Sequence, residues 1–309
     1  MVEAILSRMA KLRMFGKSPV GACLRLNERI WNRLPPSLTA LRPFRSFGHL
    51  LHSLVRLQDR RMYLGTFFLR NRPELELLRR LSGLGGEGRK VRIAVLGSSN
   101  GAEVYSIAWA LRSAQPDAKL DMQAIDISPE AVKAARTGLY EPGVSELVDE
   151  PIFERMTAKE MEEMFERIGD RLMIKPWIRE GIVWHVGDAL DPRILETLGP
   201  QDIVVANRFL CHMRPPDAER CIRNIARLVV PGGYLFVSGV DLDVRTKVAS
   251  DLGWNPVQEL LQEIHEGDPS LRVSWPHKYW GLEPIDRRRS DWKIRYASVF
   301  QVGEDASRS

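Results

Sequence analysis

The segment from Val91 to Asp126 carries the residues whose types and spacing point most directly to chemistry. VRIAVL leads into Gly97-Ser98-Ser99-Asn100-Gly101, a helix opens near Ala102, and LDMQAID ends on Asp126. Glycines in such a turn let the backbone approach a ligand closely. The start of the next helix offers free N–H groups to a negative group. An acid ~25 residues further on can accept from ribose hydroxyls. Together these predict one βαβ half of a nucleotide-type site. A tight turn without ligand would account for the glycines but not for Asp126. GSSNG is not GxGxxG, and the Lys-Ser/Thr pair of a phosphate loop is missing, which disfavours a kinase or ATPase. Glu103 falls in the first helical turn, where the helix dipole alone favours an acid. It would also repel a dinucleotide pyrophosphate and accept from an ammonium. That favours S-adenosylmethionine over NAD.

Two more strand ends extend the site. Val186-Gly187-Asp188-Ala189 closes a third strand, and Asp188 could accept from an exocyclic amine or cap a helix. DIVVAN closes a fourth on Asn207-Arg208-Phe209, and the carboxyl ends of such strands face the ligand crevice. Ile127 and Ala189, each following a candidate acid, join the cofactor-binding set with Gly97, Ser98 and Gly101. His212 is the candidate base if the methyl acceptor is a hydroxyl or an amine, although a lone His is more often structural.

These residues need a scaffold, and the pattern supplies one. Strands at 91–96, 120–126, 182–186, 202–206 and 234–240 alternate with helices at 102–114, 129–137 and 216–229, which predicts a doubly wound, mainly parallel α/β sheet. A polar, mostly helical excursion is expected over 138–180, a turn at Pro231-Gly232-Gly233 and a last strand over 294–302. Residues 2–15, 47–62 and 73–82 read as helices. The glycines between Gly83 and Gly88 then set a boundary. An N-terminal all-helical domain occupies 1–85, the α/β domain 86–303 and a disordered tail 304–309.

Composition narrows the function further. The chain has 309 residues, 44% apolar, enough for a sizeable core. No apolar run approaches the length of a membrane span, and no secretory signal pattern opens the chain. Cys23, Cys211 and Cys221 form no CxxC pair, and the six His are scattered. A disulfide framework and a metal site are therefore not expected, and the expected compartment is the cytoplasm. Residues 1–80 hold 16 Lys and Arg against five acids, a net of +11, whereas the whole chain is +5. The basic N-terminal quarter suits an acidic partner, or is simply a set of solvated helix faces.

Several motifs, taken in order, resemble the CheR-type chemotaxis methyltransferases. They are Thr66-Phe67-Phe68-Leu69-Arg70, GSSNGAEVYSIAWAL (97–111), AIDISPEAVKAARTGLY (124–140), TAKEMEEMFER (157–167), DIVVANRFLCHM (202–213) and LVVPGGYLFVSG (228–239). The resemblance covers roughly residues 55–240. It implies a class I, Rossmann-like S-adenosylmethionine-dependent methyltransferase sheet behind a helical domain, with a small β-containing excursion within 138–180. It implies that Thr66 and Arg70 contact the cofactor from the helical side, Glu103 lies near its ammonium, and Asp126 takes the ribose. Asp188 stands where the family has Asn, and Asn207-Arg208 reverses the family's Arg-Asn pair. Leu64 replaces the family's first Asn, and His212-Met213 its Tyr-Phe.

The family's acceptor is a protein glutamate. A carboxylate is already a nucleophile at neutral pH, so alignment rather than a base is required. Arg70 could steer either the acceptor carboxylate or the donor's own. The alternative acceptor is a small molecule, suggested by the Trp- and Arg-rich stretch 274–300, where Trp275, Tyr279, Trp280 and Trp292 could wall a pocket. Nucleic acid is a weaker candidate, because no Asn/Asp-Pro-Pro-Tyr strand end is present.

Overall fold

Near-continuous apolar runs such as VRIAVL and DIVVA form strands buried on both faces, as parallel sheets require. The computed structural model describes residues 19–39, 41–56, 60, 65–83, 90–117, 119–142 and 152–303. The expected helix at 2–15, most of the glycine boundary and the tail 304–309 lie outside the described residues. By compactness the chain divides into two units. One comprises Met1–Arg61 with Pro269–Ile285, the other Met62–Asp268 with Asp286–Ser309.

The first unit contains α1 (Pro19–Trp31), a short helix Pro36–Thr39, α2 (Arg42–Val55) and a short helix Pro269–Val273. Leu24, Leu51, Val55 and Tyr279 make its small core. Within 47–62, helix is described only to Val55, and Leu50 of the expected apolar side is 57% exposed. Trp275 packs edge-on against Trp31 at 5.7 Å and His49 at 5.4 Å.

The second unit opens with α3 (Arg72–Gly83). It continues through β1 (Val91–Leu96), α4 (Ala102–Ala114), β2 (Leu120–Asp126), α5 (Pro129–Thr137) and β3 (Leu139–Tyr140). Next come α6 (Ala158–Met164), β4 (Phe165–Ile168), β5 (Arg171–Ile174), β6 (Ile182–Val186) and β7 (Gln201–Asn207). The unit ends with α7 (Pro215–Ala226), β8 (Val229–Ser238), α8 (Leu242–Asp251), β9 (Asn255–Pro256) and β10 (Val299–Gln301). The main sheet has seven strands in the order β6-β2-β1-β7-β8-β10-β9. The first five run parallel, whereas β10 is antiparallel to both β8 and β9. The chain builds outward from β1 through β2 to β6, then returns to start β7 on β1's other side. The direction of winding therefore switches between β1 and β7, where α/β sheets place their ligands.

Several expectations change in the structure. The helix at 72–83 belongs by compactness to the α/β unit and not to the N-terminal one. Its Leu77 and Leu78 are fully buried in the same core as Ile93, Val95, Ile107, Met122 and Val205, worth about 1.5–3 kcal/mol each. The excursion is only partly helical, and it holds the small β structure that the family resemblance implies. β3, β5 and β4 form a small antiparallel sheet, with β4 and β5 joined by the two-residue turn Gly169-Asp170. Pro231-Gly232-Gly233 is not a turn before the strand but an irregularity inside β8, opposite a register shift at Gln201/Ile203. The expected last strand at 294–302 is present but shorter, as β10 at Val299–Gln301, and residues 294–296 belong instead to the helix Trp292–Tyr296. Among the described residues, no helix is long and apolar enough to cross a membrane, and no His/Cys/Asp/Glu group is arranged to hold a metal.

Candidate cofactor cavity

The C-terminal ends of β1, β2, β6 and β7 lie side by side because these strands pair in parallel register, Leu96 beside Ile125 and Ala206, and Asp126 beside Val186. Above them opens a cavity of about 200 Å³. Its walls include Thr66, Arg70, Gly97, Glu103, Asp126, Ile127, Asp188, Ala189, Asn207, Arg208 and His212. Ser98 and Gly101 do not reach it. A Cβ on Gly101 would instead meet the Trp184 ring at 2.9 Å. Gly65, Ser99, Gly187, Phe209 and Met213 line the cavity too, as neighbours of the residues that the motifs single out.

Local sequence explains these placements. Gly97 has φ 68°, and a Cβ there would lie 2.7 Å from the Phe209 ring, so only glycine closes this turn. Ser128 caps α5 by accepting from Ala131 N–H at 3.2 Å. The Asp126 carboxylate accepts from Ser99 N–H at 2.8 Å and Ser128 N–H at 2.9 Å. It therefore ties the first turn to the second strand, and each oxygen keeps a second lone pair. Phe68 is fully buried among Tyr140, Phe153 and Phe165, with ring centroids 5.1–5.5 Å away. Leu69 N–H donates to Ser106 Oγ at 2.9 Å. Anchored there, the segment turns Thr66 and Arg70 toward the cavity.

Arg70 belongs to a cluster that sequence reasoning misses. Asp268, almost fully buried, pairs with Arg155 at 2.9 Å and Arg208 at 2.9 Å, and lies 3.9 Å from Arg70 Nε. Arg155 donates to Arg70 O at 2.8 Å. The Arg70 and Arg155 guanidiniums each sit 4.9 Å from the Phe67 ring, a cation–π arrangement. Burial, then repulsion from Arg208, push Arg70 down to about 9, which leaves it charged at neutral pH. Asn71 holds Asp268's segment in place by donating to Ile264 O at 2.9 Å. Nothing in the local pattern around Arg155 or Asp268 announces a role.

The reversed pair Asn207-Arg208 now has a physical meaning. Asn207 Oδ1 accepts from Ser238 N–H at 3.1 Å and Ser238 Oγ at 2.7 Å. Its Nδ2 donates to Glu74 at 2.5 Å and Glu103 at 2.8 Å. Arg208 adopts φ 65°, and Gly239 packs so closely that a Cβ would lie 2.6 Å from Arg208 Cα. Burial raises the Glu103 carboxyl above the usual carboxylate range, while Asn207, Arg70 and Arg208 pull it back. Glu74, which sequence reasoning also misses, is pushed up to about 7 by burial and then by Glu103. His212 closes a single 3-10 turn, Leu210–His212, at the cavity wall. Of the aromatics expected to wall an acceptor pocket, none lines this cavity. Trp275 packs within the first unit, and Trp292 is covered by Arg287 and Lys293.

The donor set suits S-adenosylmethionine. A buried carboxylate at one wall answers an ammonium, and an acid at the end of β2 answers ribose hydroxyls. Guanidiniums in the same lining, those of Arg70 and Arg208, answer a carboxylate. Comparison with known proteins agrees. The profile of the family described as "CheR methyltransferase, SAM binding domain" matches residues 65–245. A probable biofilm formation methyltransferase WspC of Pseudomonas aeruginosa is 27% identical over 179 residues, 58% of this chain and 39% of that protein. A chemotaxis protein methyltransferase of Vibrio parahaemolyticus is 24% identical over 155 residues, 48% of this chain and 53% of that protein. The chain thus spans less than two thirds of either relative. Among solved structures, magnesium protoporphyrin IX methyltransferase from Synechocystis PCC 6803 aligns over 60% of this chain and 69% of that one, with 16% identity and TM-score 0.35. The match over 65–245 takes in more than half of the chain and all the residues that line the cavity, and the chain belongs to the CheR methyltransferase family.

Proposed function

We propose that this chain transfers the methyl group of S-adenosylmethionine to a carboxylate, that of a glutamate side chain in an acidic protein partner. The observation that carries this reading is the charge make-up of the cavity wall, where the carboxylates of Glu103 and Asp126 stand together with the guanidiniums of Arg70 and Arg208. Bound there, the cofactor supplies a methyl group made electrophilic by a sulfonium. Glu103 would hold the ammonium, Asp126 the ribose and Asp188 the adenine amine, with Thr66, Gly97, Ile127, Ala189 and Asn207 shaping the walls. Ser98 and Gly101 act through the turn that positions Gly97 and Ser99. Arg70 and Arg208, fixed by Asp268, orient carboxylates bidentately. An acceptor carboxylate needs no proton removed, so proximity and alignment carry the rate. Cytoplasmic placement belongs to this reading.

Incubation of the chain with methyl-tritiated S-adenosylmethionine and bacterial lysate protein tests the proposal. Base-labile label on protein is the expected result. Base-stable label, or label confined to a small-molecule fraction, refutes it. One placement favours a second reading, methylation of a small-molecule hydroxyl or amine: His212 lines the cavity and could serve as base. Under that reading His212→Gln removes the rise of kcat with pH, whereas carboxylate methylation leaves kcat flat.

A further inference from the structure

Glu74 sits in the first turn of α3, behind Glu103 and away from the cavity wall. The two carboxyls share one donor. Ser238 N–H fixes which end of the Asn207 amide is oxygen, because a backbone N–H can only donate. The amide nitrogen therefore faces both acids, at 2.5 Å and 2.8 Å, and its two hydrogens are spent on them. The two oxygens can then be no more than about 5.3 Å apart, close enough that two buried negative charges interact strongly. Positive groups face the pair without closing on it. Arg70 and Arg208 act on both acids, and Arg245 of α8 acts on Glu74. Asp268 and Arg155, behind Arg70 and Arg208, complete the surrounding charges. A void of about 20 Å³, roomy enough for one water, touches Glu74, Glu103, Arg70 and Asn207.

We propose that Glu74 and Glu103 hold one proton between them across the Asn207 amide, and that a cation entering at Glu103 expels it, which makes Glu74 a positioning residue that sets how the site's affinity for a cationic ligand depends on pH. The inference rests on the cofactor reading above. The step is a simple acid dissociation: the Glu74 carboxylic acid becomes carboxylate and its proton passes to buffer. Glu74's raised carboxyl, about 7, agrees with this.

The test compares the full chain with Glu74→Gln, which keeps an oxygen for Asn207 but cannot ionise. S-adenosylmethionine affinity is measured by calorimetry from pH 6 to 8. The ratio of the variant's Kd to that of the unsubstituted chain cancels the ligand's own amine titration. That ratio is expected to rise about tenfold across this range, the limit for one linked proton with a midpoint near 7. At pH 7, buffers of differing ionisation enthalpy should show about half a proton released by the unsubstituted chain and none by the variant. A flat ratio, or proton release unchanged by the substitution, overturns the proposal. If the ligand binds at no pH, the cofactor reading falls separately. Carbon-13 titration of the glutamate carboxyls, without ligand, then decides the pairing. A carboxyl titrating near pH 7 in the unsubstituted chain upholds the shared proton, and its absence overturns it. That measurement also stands if the variant does not fold.

Discussion

Replacing Asp268 by Asn tests whether the arginine cluster is held as the geometry implies. Asp268 is 1% exposed and, among the described residues, is the acid in ion-pair contact with Arg70, Arg155 and Arg208. The substitution keeps shape and one acceptor oxygen but removes the charge. At an effective dielectric of ~20, each close guanidinium contributes roughly 4 kcal/mol of attraction at ~4 Å. The cost of burying the carboxylate cancels part of this. Breaking a buried pair by removing one partner leaves a net loss of about 3–5 kcal/mol, because the other charges stay behind uncompensated. Arg70, already lowered by burial and by Arg208, would be lowered further. With an m-value of about 2–3 kcal/mol/M in urea, the unfolding midpoint should fall by about 1–2 M. The companion variant Arg208→Met removes one cation, and the double variant should be less destabilised than the two singles summed, by about 1–3 kcal/mol. A midpoint for Asp268→Asn within 0.3 M of the unsubstituted chain, on the order of 1 kcal/mol, would refute the reasoning. So would strict additivity with Arg208→Met.

Three further outcomes are expected. Gly239→Ala places a methyl against Arg208 Cα at φ 60° and should cost about 1–3 kcal/mol, with weaker S-adenosylmethionine binding by calorimetry. Thr157→Ala removes a capping box with Glu160, so thermal melting should show a loss of about 1 kcal/mol while ligand affinity stays unchanged. Stability against pH should carry opposite signatures of two acids. Glu160, lowered to about 2 by Arg72, stabilises above the unfolded value of 4.5, and that contribution fades as pH falls toward 2. Glu74, raised to about 7, makes the fold lose stability as pH rises from 4.5 to 7, by on the order of 3 kcal/mol. Urea midpoints between pH 5 and 8 should fall in the unsubstituted chain and stay level in Glu74→Gln.

Sequence revealed what local patterning encodes. β1, α4, β2 and α5 fall at the expected residues, because each is an apolar run or periodic face bounded by a chemical stop: Gly97, Ser128-Pro129 and Gly138. Where a local signal competed with distant pairing, sequence misled. Pro231-Gly232-Gly233 carries turn chemistry, yet β7 pairs with Val229 and Tyr234 on either side of it, and Val302 bonds Gly232 and Gly233, which keeps it within a strand. Gly169-Asp170 carries hairpin chemistry, but the strands beside it are four residues long and polar enough to pass for helix. The cavity was legible on its sheet side, where motifs and strand ends coincide. Its far side depends on Arg155 and Asp268, which are 113 residues apart and meet only through tertiary packing.

The order Asn207-Arg208 shows why residue-by-residue transfer from a family needs the geometry. Read as a pair, the two residues seem merely exchanged. In the fold, the end of β7 turns sharply at Arg208, whose φ is 65°, so consecutive side chains leave in different directions. The first position points inward, between Glu74, Glu103 and Ser238. The second points to Asp268. An arginine at the first position would neutralise the two acids outright, whereas a neutral amide only bridges them and leaves their charge repulsion in place. The positive charge instead sits at the second position, where Asp268 holds it at the cavity wall. The exchange therefore puts the cation in ion-pair contact with Asp268 and a neutral amide in hydrogen-bond contact with the two acids, which leaves Glu74 and Glu103 sensitive to whatever cation arrives.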